Sequence, residues 1–338
     1  MINHRSGEFR ELLPRVAARL RGVFRAESDP ILLTTSGTGG LEAAVANTLS
    51  PGDRVLAVTV GAFGDRFASI AEAYGAAVTR LASPPGEAAD PEAIRKALRD
   101  DSKIRAVLVT HNETATGVTN DVETIGRIVR EAGPLLLVDA VSSLGAIPLE
   151  TSAWGLDVVV TASQKAWMTP PGLAMVAVGP RAWEASSRAR MPRFYFDFER
   201  AKSFATKGET PWTPAVSILF ALDAALDRIE SEGIENVFER HRRLAARTRD
   251  GLRSFGFRLL AEGPHASDAV TAAYPPEGFE ADAIRARAAK EFDVVLSGGQ
   301  GPLKGKILRL AHLGWVSDAD VEGALDALRR VVSSAASR

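Results

Sequence analysis

The chain has 338 residues, 46% of them hydrophobic, and its 41 basic and 42 acidic side chains nearly cancel to a formal net charge of -1. Such a length can bury a large core and implies a big α/β domain with an appended smaller one. The balanced charge, free of basic blocks, argues against nucleic-acid and membrane-surface partners. The absence of cysteine removes disulfides, thiolate metal sites and a cysteine nucleophile. No stretch of about eighteen apolar residues occurs and the first residues, Met1 to Ser6, lack a signal-peptide core, so a soluble cytoplasmic protein with no membrane span and no metal is expected.

Residues 8–24 carry Phe9, Leu12, Leu13, Val16, Leu20 and Val23 at the three-and-four spacing of an amphipathic helix, with Ser6 as its cap. A short strand, 31–35, leads into Ser36-Gly37-Thr38-Gly39-Gly40 and then a helix over 41–46. Strand, glycine-rich turn and helix start gather free N–H groups and the positive helix end around one point, which suits phosphate. No Gly-Lys-Ser/Thr is present and Glu42 replaces the third glycine of a dinucleotide fingerprint, so neither nucleotide motif fits. A plain tight turn without ligand is the alternative.

Strands are expected at 54–59, 76–81 and 104–110, and helices at 91–98 and 122–132. In open α/β sheets ligands lie beyond the carboxyl ends of the strands. Phe63, after the second strand, is placed to lie on a flat ligand, and His111 to Gly117 offers hydroxyls and a carboxylate for a polar ring substituent. The strand 135–138 delivers Asp139, a costly end for an apolar strand unless its charge is paired. A buried strand, 157–162, then delivers Lys165 among Trp167, Met168, Pro170 and Pro171. A desolvated lysine has a lowered pKa and attacks carbonyls; an ordinary lysine at a strand end is simply solvated.

After a strand at 174–178, residues 188–207 read as an irregular, charged, aromatic-rich stretch. Long helices follow at 215–230 and 236–255, then short strands at 258–260, 269–273, 294–296 and 307–310, with helices at 281–291 and 318–334. The expected division is a large domain, 1–235, and a small α/β domain, 236–338.

A phosphate cradle, an aromatic plate, hydroxyls, an aspartate and a lysine therefore all fall at the ends of successive strands, which is the set pyridoxal 5'-phosphate requires. With Ser36-Gly37-Thr38-Gly39, Thr110 to Gly117, Val138 to Gly145 and Ser163-Gln164-Lys165, the chain resembles the class V aminotransferases, and among them the alanine-glyoxylate and serine-pyruvate group. The resemblance spans nearly the whole chain. It implies the fold type I of pyridoxal-phosphate-dependent transferases: a mostly parallel, seven-stranded large-domain sheet and a smaller C-terminal domain. It also implies transfer of the amino group of alanine or serine to glyoxylate or pyruvate in a ping-pong cycle.

By matching position, Lys165 is the Schiff-base lysine and Asp139 bonds the pyridine nitrogen. Gln164 and Thr114 reach the ring oxygen side, Phe63 stacks on the ring, and Ser36, Gly37 and Thr38 bind the phosphate. Arg309 grips the substrate carboxylate through a guanidinium fork. Thr210 reaches the phosphate of a partner subunit, which implies a homodimer with shared sites. Two departures stand out. Relatives carry about twenty further N-terminal residues near the site entrance, so either the start is truncated or the entrance is built differently. Glu209 occupies a position near the partner's phosphate, where a carboxylate would repel it. A cysteine desulfurase is excluded by the lack of cysteine; a 2-aminoethylphosphonate transaminase, a lyase or hydrolase on the same cradle, and a non-catalytic subunit that keeps the fold are the rivals.

Overall fold

The structure, a computed structural model, describes residues 2–333. The first helix, α1 (Gly7–Phe24), starts where Ser6 Oγ accepts the Phe9 N–H at 3.3 Å. It buries Phe9, Leu12, Leu13, Val16, Leu20 and Phe24, each contributing roughly 1.5–3 kcal/mol of transfer free energy. Then come β1 (Ile31–Leu33), α2 (Gly37–Thr48), β2 (Arg54–Thr59), α3 (Ala62–Ala73), β3 (Ala77–Ala82), α4 (Pro91–Asp100) and β4 (Ile104–Thr110). A small hairpin of β5 (Asn112–Glu113) and β6 (Val118–Thr119) precedes α5 (Val122–Ala132), β7 (Leu135–Asp139), β8 (Val158–Ala162) and β9 (Ala174–Val178).

Seven of these strands form one sheet in the order β1, β9, β8, β7, β4, β2, β3. All its neighbouring pairs are parallel except those of β9, which runs antiparallel to β8 and β1. Alternate residues of the central strands enter different cores. Leu136, Val138 and Val159 pack with α1 and α5, while Leu135, Leu137, Val158 and Val160 pack with α2 and α3. Both faces are thus covered, which is why these strands are continuous apolar runs.

The chain continues through α6 (Pro180–Ser186), α7 (Phe198–Ala205), α8 (Val216–Glu232) and α9 (Ile234–Ser254). A second part follows: β10 (Arg258–Leu259), β11 (Val270–Tyr274), α10 (Ala281–Phe292), β12 (Ser297–Gly298), β13 (Leu308–Ala311) and α11 (Asp318–Ser333). Its four strands form an antiparallel sheet in the order β10, β11, β13, β12. Leu244, Leu252, Ile284, Leu308 and Leu328 belong to its own core.

Three local expectations need correction. Residues 37–40 are not a turn before the helix but its first turn, with Ser36 as cap. The stretch 188–207 contains α7, because Asp197 accepts the Arg200 N–H at 2.9 Å and Phe198 buries itself edge-on to Trp183. The strand expected at 294–296 lies at Ser297–Gly298 instead, paired with Arg309 and Leu308, and Val295 is 84% exposed. The helix end expected at Ser334 lies outside the described residues. Among the described residues no helix is long and apolar enough to cross a membrane.

Three histidines are buried in this architecture. His241 accepts the Gly314 N–H on Nε2 at 2.9 Å, and His312 lies 2.9 Å from Thr271 Oγ1. Burial pushes His111 and His241 down to about 4 and His312 down to about 3. The unfolded chain therefore binds their protons first, and the stability they contribute is present above about pH 6.5 and lost as the pH falls. Each costs about 1.4 kcal/mol per pH unit in that window. Buried Asp139, pushed up to about 7, works in the opposite sense and offsets one of the three. Burial raises Glu113, Asp157 and Asp268 in the same sense as Asp139, so urea titrations are expected to show stability falling from pH 7 to pH 5 by less than the three histidines alone would give; a rising midpoint would refute this.

Candidate active site

The ends of β1, β2, β4, β7 and β8 open on one side of the large sheet. At the first of them, Ser36 Oγ accepts the Gly39 N–H at 3.4 Å and Ser36 O accepts the Gly40 N–H at 3.1 Å. The N–H groups of Gly37 and Thr38 find no acceptor among the described residues. The glycines serve close approach, not unusual backbone angles. A Cβ on Gly37 would lie 2.8 Å from Val141 Cγ2, and one on Gly39 would lie 2.0 Å from Thr35 Oγ1. Helix α2 can therefore point its unsatisfied N–H groups and positive end at the loop that follows Asp139, an arrangement that binds anions.

Asp139 is 4% exposed. One carboxylate oxygen accepts the Val141 N–H at 2.9 Å, and the other has no hydrogen-bond partner among the described residues. Burial, reinforced by the nearby charge of Glu113, pushes its pKa up to about 7, against the Val141 N–H and the charges of Arg66 and Lys165. Such a group awaits a buried cation or donor. Lys165 sits past the end of the neighbouring strand β8, half-buried, and its amine makes no hydrogen bond or ion pair to any described residue. Burial and then the charge of Arg309 pull its pKa down, and Asp139 opposes them.

The Lys165 turn is held from below. Trp167 is fully buried and donates Nε1–H to Thr161 Oγ1 at 3.0 Å. Ser163 and Thr169 hydroxyls donate to Pro170 O and Ser163 O at 2.7 and 2.9 Å. Met168 adopts φ +59°, a left-handed conformation that costs a non-glycine residue roughly 1–2 kcal/mol. The surrounding bonds over-determine this strained turn, a pattern concentrated at functional sites.

Phe63, in the first turn of α3, is half-buried, with the Arg66 guanidinium 4.8 Å from its ring centroid. Thr114 donates its hydroxyl to Ser142 Oγ at 2.8 Å, and its carbonyl accepts Arg309 Nη1–H at 2.7 Å. Arg309 arrives from β13 of the second sheet, 8% exposed, with Nε–H bound to Gly298 O at 2.8 Å and Nη2 unspent. Burial lowers its pKa and the charge of Glu113 counters that.

Two of the expected residues stand apart. Gln164 is exposed and makes no hydrogen bond within the described chain. Thr210 donates its hydroxyl to Trp212 O at 2.7 Å and lines a cavity of about 780 Å³. That cavity also touches Pro30, Asp157 and Val178, at the far end of the sheet from Asp139 and Lys165. Glu209 does not face an anion in this chain, because Arg5 and Arg10 engage it at 2.6 Å each. The geometry adds Ser142, which bridges Thr114 and Asn112. It also reassigns Glu113, whose carboxylate is spent on backbone N–H groups and not left for a ring substituent.

A profile of the family described as aminotransferase class-V matches residues 1–303. The chain belongs to the class-V aminotransferases. As a class-V aminotransferase it is a pyridoxal-phosphate-dependent transaminase of fold type I that moves an amino group to a 2-oxo acid. It is 43% identical to a protein of Synechococcus named soluble hydrogenase, small subunit, over 98% of this chain and 87% of that one. It is 41% identical to the L-aspartate–glyoxylate aminotransferase of Paracoccus denitrificans, over 94% and 82% of the two chains. The crystal structure of an alanine–glyoxylate aminotransferase from Nostoc superposes with a TM-score of 0.94 at 31% identity, covering 98% of this chain and 89% of that one. The residues present fit the cofactor of this transaminase: unspent N–H groups for a phosphate, one unpaired oxygen on buried Asp139 for a protonated ring nitrogen, and a lysine without a partner.

Proposed function

We propose that these strand ends form the active site, with Lys165 carrying the cofactor and a small amino acid, alanine or serine, giving its amino group to glyoxylate or pyruvate. The observation that carries the reading is the placing of Asp139 and Lys165 at the ends of neighbouring strands, both displaced toward neutrality by burial, with one Asp139 oxygen and the Lys165 amine left without a partner among the described residues. Bound pyridoxal phosphate supplies an electron-withdrawing ring that weakens the Cα–H bond of an attached amino acid.

The chain's own groups do the rest. The amine of Lys165, its pKa lowered by burial, takes the Cα proton and would return it to C4′ of the cofactor, on the far side of the nitrogen. Asp139 holds a proton on the ring nitrogen. Ser36, Gly37 and Thr38 bind the phosphate, Phe63 lies on the ring face, and Thr114 and Gln164 reach the ring oxygen. Arg309 orients the substrate by its carboxylate, and its unspent Nη2 supports that role. We read residues 1–235 and 236–338 as large and small domains, in line with the separate core around Leu308 and Leu328.

The enzyme works as a cytoplasmic homodimer in which Thr210 reaches the partner's phosphate. An exposed aromatic group beside the cradle supports the dimer: Phe194 is 67% and Tyr195 40% exposed, and Tyr195 donates to Thr34 O. A non-catalytic subunit is the second reading, favoured by the name of the Synechococcus relative. The unpaired Lys165 and Asp139 count against it, since desolvating both without a ligand brings only cost.

The test is the visible spectrum of the protein loaded with pyridoxal phosphate, before and after L-alanine, L-serine, L-aspartate and 2-aminoethylphosphonate in turn. One donor should bleach the cofactor's visible band, and glyoxylate or pyruvate should restore it. A spectrum no different from that of free cofactor would favour the subunit reading.

A further inference from the structure

Glu113 is fully buried and touches no cation within ion-pair distance among the described residues. Its Oε2 accepts the N–H groups of Phe63 and Gly64, both at 3.0 Å, and its Oε1 accepts the Ala115 N–H at 2.9 Å. The first two belong to the opening turn of α3, whose own cap residue, Gly61, has no side chain to offer. Gly61 is packed flat against the carboxylate: a Cβ there would lie 2.6 Å from Glu113 Cγ. The next residue, Thr114, gives its carbonyl to Arg309.

We propose that Glu113 is a positioning residue that ties the aromatic plate Phe63, the hydroxyl of Thr114 and the carboxylate-binding Arg309 into one frame. This rests on the site reading above. Three parts that must meet one ligand come from α3, the β5 turn and β13 of the other sheet, and nothing in local sequence sets their spacing. A carboxylate with three fixed N–H bonds has one geometry, so it fixes α3 and the β5 turn together. Burial pushes the Glu113 carboxyl up and its three N–H bonds pull it down; as the carboxylate it attracts the Arg309 guanidinium across the two sheets. A helix cap alone would need only the Phe63 and Gly64 bonds. The Ala115 bond and the field on Arg309 connect the cap to substrate binding.

The test uses the holoenzyme and the variant Glu113→Gln, which keeps the length but removes the charge and one of the two oxygens that accept the three N–H groups. The expected result is a rise of about tenfold or more in the KM of the amino donor, with kcat within about threefold. The dissociation constant of pyridoxal phosphate, read by fluorescence quenching, should rise about tenfold as well. In an Arg309→Gln background, which removes the charge that Glu113 attracts, the KM effect of Glu113→Gln should vanish while its effect on cofactor binding persists. If Glu113→Gln does not fold, Gly61→Ala displaces the same carboxylate through its new methyl group and should show the same split.

A KM within twofold of wild type in a variant that melts like wild type overturns the proposal, as does an equal loss in both backgrounds. Failure of the site reading looks different: wild type would then give no cofactor band, or Arg309→Gln would leave the KM unchanged.

Discussion

Lys165→Ala is expected to lower the turnover number by about ten-thousand-fold, the upper range for loss of a positioned acid–base group, with the covalent anchor of the cofactor lost as well. No other amine is placed to replace it: the charged groups that act on Lys165 are Arg309 and Asp139, a guanidinium and a carboxyl. Single-turnover formation of keto acid from the amino donor measures the loss. Added ethylamine should restore part of the rate in the variant and none in wild type, because it occupies the space the side chain vacates. The fold should be unharmed, since the Lys165 amine makes no hydrogen bond to a described residue and its burial as a cation only costs. Turnover within tenfold of wild type would remove Lys165 from the mechanism.

Asp139→Asn should reduce kcat by roughly a hundred- to a thousand-fold, the scale found when one preorganised charge partner is removed. The amide still accepts the Val141 N–H through its oxygen, but its NH2 then faces the ring nitrogen and cannot hold a proton there. The same change should stabilise the cofactor-free protein. The Asp139 carboxyl is held near 7 when folded, above its ordinary 3.8. A raised carboxyl contributes its stability below the unfolded value and loses it as the pH rises through the folded one. The variant's advantage is therefore absent near pH 4, grows up to about pH 7, and reaches roughly 4 kcal/mol at pH 8. Urea midpoints of the cofactor-free proteins at pH 5 and pH 8 measure it. A variant equally active, or less stable at pH 8, would show that Asp139 already has its partner within the chain.

Much of this site was legible because its residues sit where patterns change. Asp139 ends a run of four apolar residues, and Lys165 follows a run of valines, so each polar residue marks a strand end. Ser36 and the glycines mark a helix start next to a strand. Arg309 was different: no local pattern distinguishes one arginine in a short C-terminal strand, and only the family resemblance singled it out. Its link to Thr114 crosses from one sheet to the other, a contact with a sequence separation of 195. The irregular reading of 188–207 failed because its aromatic residues mask a helical face, and Phe198 alone of them is fully buried.

Glu113 shows the limit most clearly. Its position at a strand end suggested a ligand contact, whereas the folded chain brings α3 against it and engages both of its oxygens with three N–H groups. Glu209 shows the same effect at the surface, where Arg5 and, from α1, Arg10 engage it, partners that local sequence does not foretell.

By itself the sequence determined the alternation of strands and helices, because apolar periodicity is a local consequence of which face is buried. It also determined the order in which cradle, plate, aspartate and lysine are delivered to strand ends. Only the tertiary structure decided which of those polar groups remain free for a ligand. Hydrogen bonds and buried charges are satisfied by whatever lies nearest in space, and for Glu113, Arg309 and Glu209 that neighbour comes from a distant part of the chain.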